Sequence, residues 1–229
     1  MKFSPQIYLL ALITLIVISC KKENPAPNTT ITGSEYFSSV VGMTRLYQVD
    51  SIYWDDFNNQ HDTVSYLVKE VIPSTYLDNQ NRPTQRIERF RKDSLSGNWV
   101  IWKVWSSNVT TTTGEQVEDN IRFLKLTFTP AINATWNGNT YNTLDPQNYV
   151  ITSLGDPDTK GNLTFNETLT VSHGNDDNLV FRKFAEERYA KGAGLYYRVN
   201  EDVQKIFGTE NIKSGYIYTE TLLSYSITP

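Results

Sequence analysis

The chain has 229 residues, of which 39% are hydrophobic, 13% aromatic and 20% charged, so it is long and apolar enough to fold around a core. This composition excludes a disordered or fibrous chain. The formal net charge of −4 argues against a nucleic-acid-binding protein, because phosphate recognition needs an electropositive surface.

Residues 1–19 have the pattern of a signal peptide. Lys2 precedes an apolar run from Ile7 to Ile18. A helix needs about 20 apolar residues to span a hydrocarbon layer about 30 Å thick, so this run is too short to be a mature membrane span. The run is therefore predicted to be the apolar centre of an export signal.

Cys20 ends the sequence Val17-Ile18-Ser19-Cys20, which resembles the lipobox of bacterial lipoproteins. A buried free thiol is the alternative, but this single cysteine lies between an apolar signal and a polar stretch, outside any predicted core. The resemblance implies cleavage before Cys20, diacylglycerol on its sulfur and an acyl chain such as palmitate on its amino group. Such a residue would anchor the protein to a membrane.

Residues 20–35 are predicted to be the lipidated cysteine and a flexible tether, since the stretch is polar and contains two prolines. Loss of residues 1–19 removes Lys2 and no acidic residue, which leaves 20 basic and 25 acidic side chains, a net charge of −5. Lys21-Lys22-Glu23 partly resembles the surface-export signal of Bacteroidota lipoproteins. Outer-membrane anchoring is expected, and both the periplasmic face and the cell surface stay open.

Residues 36–229 are predicted to form one all-β domain, a curved antiparallel sheet or incomplete barrel with at most one or two short helices. Apolar and polar residues alternate over 163–172, as in a strand with one solvated face. Similar segments are Val41–Trp54, Thr63–Ile72, Asn98–Val109, Ile121–Thr129, Asn148–Leu154 and Tyr216–Ile227. The pair Asn137-Gly138 predicts a two-residue hairpin turn. Short helices are expected over Leu179–Lys191 and Asn200–Gly208.

Trp99, Trp102 and Trp105 lie in one predicted strand. Strict alternation would place Trp99, Ile101 and Trp105 on one face and Trp102 on the other, so the strand is predicted to be central and covered on both faces. The three rings are either core residues or an aromatic platform that faces a ligand such as a sugar or a lipid.

Arg82, Arg86, Arg89, Arg91 and Lys92 form a basic cluster that is predicted to be a charged, solvated edge strand. An anionic glycan or lipid headgroup is the alternative partner for this cluster.

Catalytic and metal-binding motifs are scarce. Asp156–Gly161 with Glu167 partly matches a calcium loop, but Lys160 stands where an oxygen ligand is needed, so an acidic turn is predicted. His61 and His173 are the only histidines and neither lies in a catalytic motif. We therefore expect no enzyme, no metal and no cofactor.

Ser51, Thr63 and Ser94 each follow an aspartate and precede an aliphatic residue. The tripeptides resemble the O-glycosylation sequence of exported Bacteroidota proteins, and they mark these three hydroxyls as candidate glycosylation sites.

The mature chain resembles a broad group of Bacteroidota envelope lipoproteins with a strand-rich domain. The resemblance is carried by the segments 47–52, Trp99–Trp105, Trp136–Asn139, Tyr189–Leu195 and Ser214–Tyr216. It implies a fold akin to the half-barrels of periplasmic lipoprotein carriers, which hold acyl chains. The expected function is that of a non-enzymatic envelope lipoprotein that binds an apolar ligand or a protein partner; the alternative is a surface-displayed glycan-binding or adhesion module.

Overall fold

The computed structural model describes residues 33–58, 60–93 and 96–228. They form a 12-stranded antiparallel sheet, curled into a nearly closed barrel, and a separate two-stranded hairpin. The all-β prediction is confirmed. A 3-10 helix over Ser34–Phe37 precedes the strands. These are β1 (Met43–Asp55), β2 (Gln60–Leu77), β3 (Pro83–Lys92), β4 (Val100–Val109), β5 (Thr113–Glu118), β6 (Ile121–Thr127), β7 (Thr135–Asn137), β8 (Asn148–Leu154), β9 (Asp158–Lys160), β10 (Leu163–Phe165), β11 (Thr168–Asp177), β12 (Phe181–Ala190), β13 (Gly194–Lys205) and β14 (Ile212–Ile227).

The first and last strands of the barrel pair with each other in the middle of the sheet. The strand order is β6-β5-β4-β3-β2-β1-β14-β13-β12-β11-β8-β7, while β9 and β10 form the hairpin. Met43 pairs with Ile227 at one end of β1, and Trp54 pairs with Gly215 near the other. The sheet is therefore organised around a contact between residues that are far apart in sequence.

The barrel closes where its edge strands β6 and β7 meet. The Leu124 N–H donates a hydrogen bond to the Gly138 carbonyl, and Trp136 Nε1 donates to the Leu124 carbonyl, both at 2.9 Å. Leu124 and Trp136 belong to one apolar cluster, which also contains Tyr149 and, from the 3-10 helix, Phe37. At this seam, a backbone hydrogen bond, a side-chain hydrogen bond to the backbone and packed rings take the place of a full ladder of backbone hydrogen bonds.

Both predicted helices are wrong. Leu179–Lys191 contains β12, and Asn200–Gly208 contains the end of β13. β12 is bonded to β11 on one side and to β13 on the other, so ladder hydrogen bonds override weak local helix preference. Among the described residues, no helix is long and apolar enough to cross a membrane.

The predicted two-residue turn at Asn137-Gly138 is also wrong. Asn137 pairs with Asn148, so residues 138–147 form a long loop between β7 and β8. The Asn137 side-chain oxygen organises the loop by accepting hydrogen bonds from the N–H groups of Asn139 and Gln147, each at 3.0 Å. Gly138 is needed here for space, because a Cβ at this position would overlap the ring of Tyr149.

We expect Gly138→Ala to destabilise the fold by about 1–3 kcal/mol, because the added methyl must displace a ring packed in the seam. Urea unfolding followed by fluorescence measures the change. Leu144→Ala is the control, since Leu144 is exposed in the same loop. Equal stabilities of the Gly138→Ala variant and the unmodified chain would contradict the seam assignment.

Candidate functional site

The interior of the barrel is occupied by charged side chains from distant strands. Several of these charged positions lie in phase with buried apolar residues of their own strand, as Arg45 does with Tyr47 and Val49. Four are basic and four acidic, so the set is balanced in charge. We call this set the interior ion network; its members are Arg45, Glu70, Arg89, Glu118, Lys125, Glu187, Arg198 and Glu220.

One half of the network joins β1, β2, β3 and β14. Arg45 Nη1 donates to Glu70 Oε1 at 2.8 Å, and its Nε donates to the Ala193 carbonyl at 2.7 Å. Arg89 Nη2 donates to Glu220 Oε1, and its Nε lies 3.4 Å from Glu70 Oε2. Because β3 and β14 are separated by two strands in the sheet, the Arg89–Glu220 pair must cross the interior.

The other half joins β5, β6, β12 and β13. Lys125 Nζ lies 2.9 Å from Glu118 and 2.8 Å from Glu187. Arg198 contacts the same two carboxylates at 3.1 and 2.9 Å. Each carboxylate therefore has two cationic partners, and the four side chains form a closed ring of opposite charges.

Trp105 links the two halves. Its ring lies 4.1 Å from the guanidinium carbon of Arg89 and 6.0 Å from that of Arg198. A cavity of about 30 Å³ lies against these residues, together with Glu70 and Glu220. The Nε atoms of Arg89 and Arg198 are buried without a hydrogen-bond partner among the described atoms. A cavity of this size holds about one water molecule and is far below the 300–1,000 Å³ of typical small-molecule pockets.

The network keeps Glu118 and Glu187 ionised. Burial alone raises the pKa of Glu187, but attraction by Lys125 and Arg198 outweighs burial and holds the pKa well below its usual range. Burial also raises the pKa of Glu118, and attraction by Arg198 and Lys125 lowers it to about 2 overall. Both carboxylates are therefore charged at neutral pH.

His173 lies at the border of the network. Its ring is stacked on Tyr149, with centroids 3.8 Å apart, and its Nε2 lies 3.6 Å from Glu187 Oε2. Burial lowers the pKa of His173 to about 4, and the attraction of Glu187 offsets only part of this effect. His173 is therefore neutral at pH 7, and its contact with Glu187 is not an ion pair at that pH.

The tryptophans do not follow strict alternation, so the predicted division of their faces is wrong. A register shift in the β3–β4 pairing leaves Trp102 without a direct partner. Trp102 and Trp105 consequently both face Arg89, at 5.8 and 4.1 Å. Trp105 is buried, whereas Trp102 is half-buried. Trp99 precedes β4 and lies near Lys69 and Lys92.

The prediction of a solvated edge strand for the basic cluster is wrong as well. β3 lies between β2 and β4, and Arg89 is fully buried because carboxylates from β2 and β14 pair with it. Arg86, on the same strand, is half-buried and pairs with Glu88. One sequence signal points to the burial of Arg89. Single acidic residues, such as Glu70 and Glu220, take the place of buried apolar residues in the alternation of other strands.

The candidate modification sites are only partly described. Cys20 and Ser94 lie outside the described residues, as does most of the predicted tether. Thr63 is exposed on β2, and Ser51 is half-buried on β1. The two lie close together, because Ser51 pairs with Val64, the residue after Thr63. Glycosylation of these hydroxyls stays a prediction.

The two histidines lie on different strands, His61 on β2 and His173 on β11. His61 is exposed and its ring is stacked on Trp54, with centroids 5.2 Å apart. The Asp156–Gly161 segment enters the β9–β10 hairpin. In residues 33–58, 60–93 and 96–228, no three His, Cys, Asp or Glu side chains are grouped to hold a metal ion.

A scan against known protein families and a search of curated proteins each found no match. Among solved structures, the chain is similar to a Bacteroides fragilis NCTC 9343 protein assigned as exported and as having a YmcC-like fold. The two share 8% sequence identity with a TM-score of 0.44, over 83% of this chain and 98% of the other. No family membership follows from these comparisons.

We expect Arg89→Met to destabilise the fold by about 3–5 kcal/mol, because it leaves Glu70 and Glu220 buried without their shared cation. Arg86→Met makes the same change on the same strand at a solvent-accessible ion pair, and should cost less than about 1 kcal/mol. Urea unfolding of the two variants measures the contrast. Similar costs would show that the interior pair is not buried.

Lowering the pH from 7 to 4.5 should destabilise the fold through His173. The pKa is about 4 in the folded chain and about 6.5 when exposed, so only the unfolded chain gains a proton in this interval. Stability is therefore lost as the pH falls, by about 2–3 kcal/mol.

Urea unfolding at the two pH values tests this dependence in His173→Phe, which keeps a ring against Tyr149 but cannot titrate. The variant should lose much less stability than the unmodified chain. His61→Phe is the control and should keep the full pH dependence, because His61 is exposed. An unchanged dependence in His173→Phe would refute the assignment.

Proposed function

We propose that the protein is a non-enzymatic lipoprotein of the cell envelope, anchored to the outer membrane through Cys20, whose β domain binds a partner with its outer surface. The lipobox and the apolar signal support the anchor. A partner is preferred to an apolar ligand, because the lipoprotein carriers whose half-barrel fold the resemblance implies hold acyl chains in a concave face. Here the corresponding volume is filled by ion pairs.

The observation that carries the proposal is the small size of the interior cavity and the ion pairs that form part of its wall. About 30 Å³ bounded by Arg45, Glu70, Arg89, Arg198 and Glu220 cannot accept an acyl chain. Opening this space would require charged groups to separate inside the barrel, which is costly. Binding surfaces are therefore expected outside the barrel.

A second candidate, glycan binding, is favoured by one surface feature. A depression of about 340 Å³ is lined by Trp102 together with Arg91, Asp93 and Asn98. An aromatic ring beside planar polar side chains suits a sugar, although Lys103 lies 4.8 Å from the centre of the Trp102 ring and occupies part of its surface. The same depression also borders an exposed strand edge, so a protein partner is the leading candidate.

Two measurements test the proposal. Residues 20–229 carrying Cys20→Ser, produced in a bacterial periplasm, should give a native mass equal to that of the bare chain. A reproducible additional mass that extracts as lipid would contradict the partner-binding function. The full-length chain should incorporate an alkyne-labelled palmitate in cells and fractionate with outer membranes. Label retained after Cys20→Ser would contradict the anchor.

A further inference from the structure

We propose that the first six residues of β4, Val100–Trp105, accept an extended segment of a protein partner as an additional strand; this inference rests on the proposed partner-binding function and names its site. β4 pairs with β3 along most of its length, but β5 pairs only with Ser106–Val109. No strand of the described residues lies beside Val100–Trp105 on the side away from β3. We call these six residues the open edge.

The open edge lacks the protection that exposed strands usually have. Val100, Ile101 and Val104 are 64%, 55% and 44% exposed. The one charged residue of the open edge, Lys103, is bound to Asp119 at 2.5 Å. Natural proteins commonly shield free edges with charges, because an apolar edge with unpaired N–H and C=O groups recruits other strands.

The barrel contains a contrasting edge at β11. There β8 pairs only as far as Ser172, so Gly174–Asp177 also has a neighbour on one side only. That stretch contains Asn175, Asp176 and Asp177, all exposed, and is protected by charge. The difference between the two edges indicates that the apolar character of the open edge serves binding and is not a general property of this end of the barrel.

Strand addition would also use the neighbouring surface. The depression lined by Arg91, Val100, Ile101 and Trp102 lies directly against the open edge. Alternate side chains of an added strand project to one face, so every second residue of a bound segment could enter this depression. Backbone hydrogen bonds would supply affinity, and the depression would select apolar side chains.

The charges around the open edge favour an acidic segment. Four cations lie on or beside it: Lys103 within the open edge, Arg91 of β3, which pairs with Val100, and Lys69 and Lys92 next to the ring of Trp99. Within the described part of the chain, Asp93 pairs with Arg91 and Asp119 with Lys103, which leaves a surplus of two positive charges on a chain that is negative overall. The fitting partner is therefore an extended segment with apolar residues at alternate positions and acidic residues between them.

A second copy of this chain fits less well. Antiparallel pairing of two open edges would bring the same cations together. It would also reverse the strand direction of one barrel, so that the two tethers would leave from opposite ends. In two copies anchored in one membrane through Cys20, one tether would have to reach the far end of its barrel, which favours a different protein as the occupant.

The test uses the mature chain with Cys20→Ser and a synthetic probe, acetyl-Thr-Val-Glu-Val-Glu-Val-Thr-amide. Tryptophan fluorescence should show saturable binding with a Kd of about 100 µM or tighter. Hydrogen exchange should slow at the amides of Val100–Trp105. The same peptide with lysine in place of glutamate should bind at least about tenfold more weakly, and a version N-methylated at alternate residues should not bind.

Variants locate the site. Val104→Lys should weaken probe binding at least about tenfold, whereas Asn175→Lys, on the contrasting edge, should leave it unchanged. Protection of Gly174–Asp177, equal binding of the N-methylated peptide, or no binding at 1 mM would overturn the proposal.

Self-association is measured separately by light scattering. A dimer that Val104→Lys abolishes would assign the open edge to a second copy and overturn the choice of a partner protein. The palmitate-labelling and mass measurements do not depend on the open edge, so failure of this inference is distinguishable from failure of the proposed function.

Discussion

The structure depends on the pairing of charges across the interior of the barrel. Arg89 and Glu220 come from strands that are not neighbours, and Arg198 reaches Glu118 from the far side of the sheet. Such pairs set the distance between opposite walls. Burying charges is costly, and removal of one partner is more costly still, so the balanced set of four cations and four anions specifies one arrangement of the walls. It also leaves too little space for a ligand.

The seam and the network support each other. The loop over residues 138–147 connects β7 to β8 and covers β6, and the side chain of its last residue, Gln147, donates to the His173 carbonyl at 3.0 Å. His173 in turn borders Glu187. A neutral imidazole between a packed ring and a carboxylate is tolerated because the cations already neutralise that carboxylate. Protonation of His173 would add a cation to a set that is balanced without it.

The sequence predicts the fold class well and the site poorly. Alternation over segments such as Tyr216–Ile227 is a local signal, so it indicates strands reliably. The helices expected over Leu179–Lys191 and Asn200–Gly208 fail because pairing with distant strands overrides local preference. The network could not be assembled from the sequence, since its members are paired by topology. Some members, such as Arg45, have a local sign, because a charge takes the place of an apolar residue in the alternation of the strand. The bulge at Trp102 breaks the periodicity on which face assignments depend.

The pairing of β1 with β14 has a consequence for how the chain reaches its folded state. Met43 and Ile227 lie near opposite ends of the domain's sequence, yet their strands are neighbours in the middle of the sheet. During synthesis or transport β1 has no partner on that side until the last strand is available. The barrel therefore completes late and has a high contact order, which slows folding. Under the proposed function, in which the chain is exported, this delay would be useful, because a domain that cannot close early stays in a state that can still be threaded across a membrane.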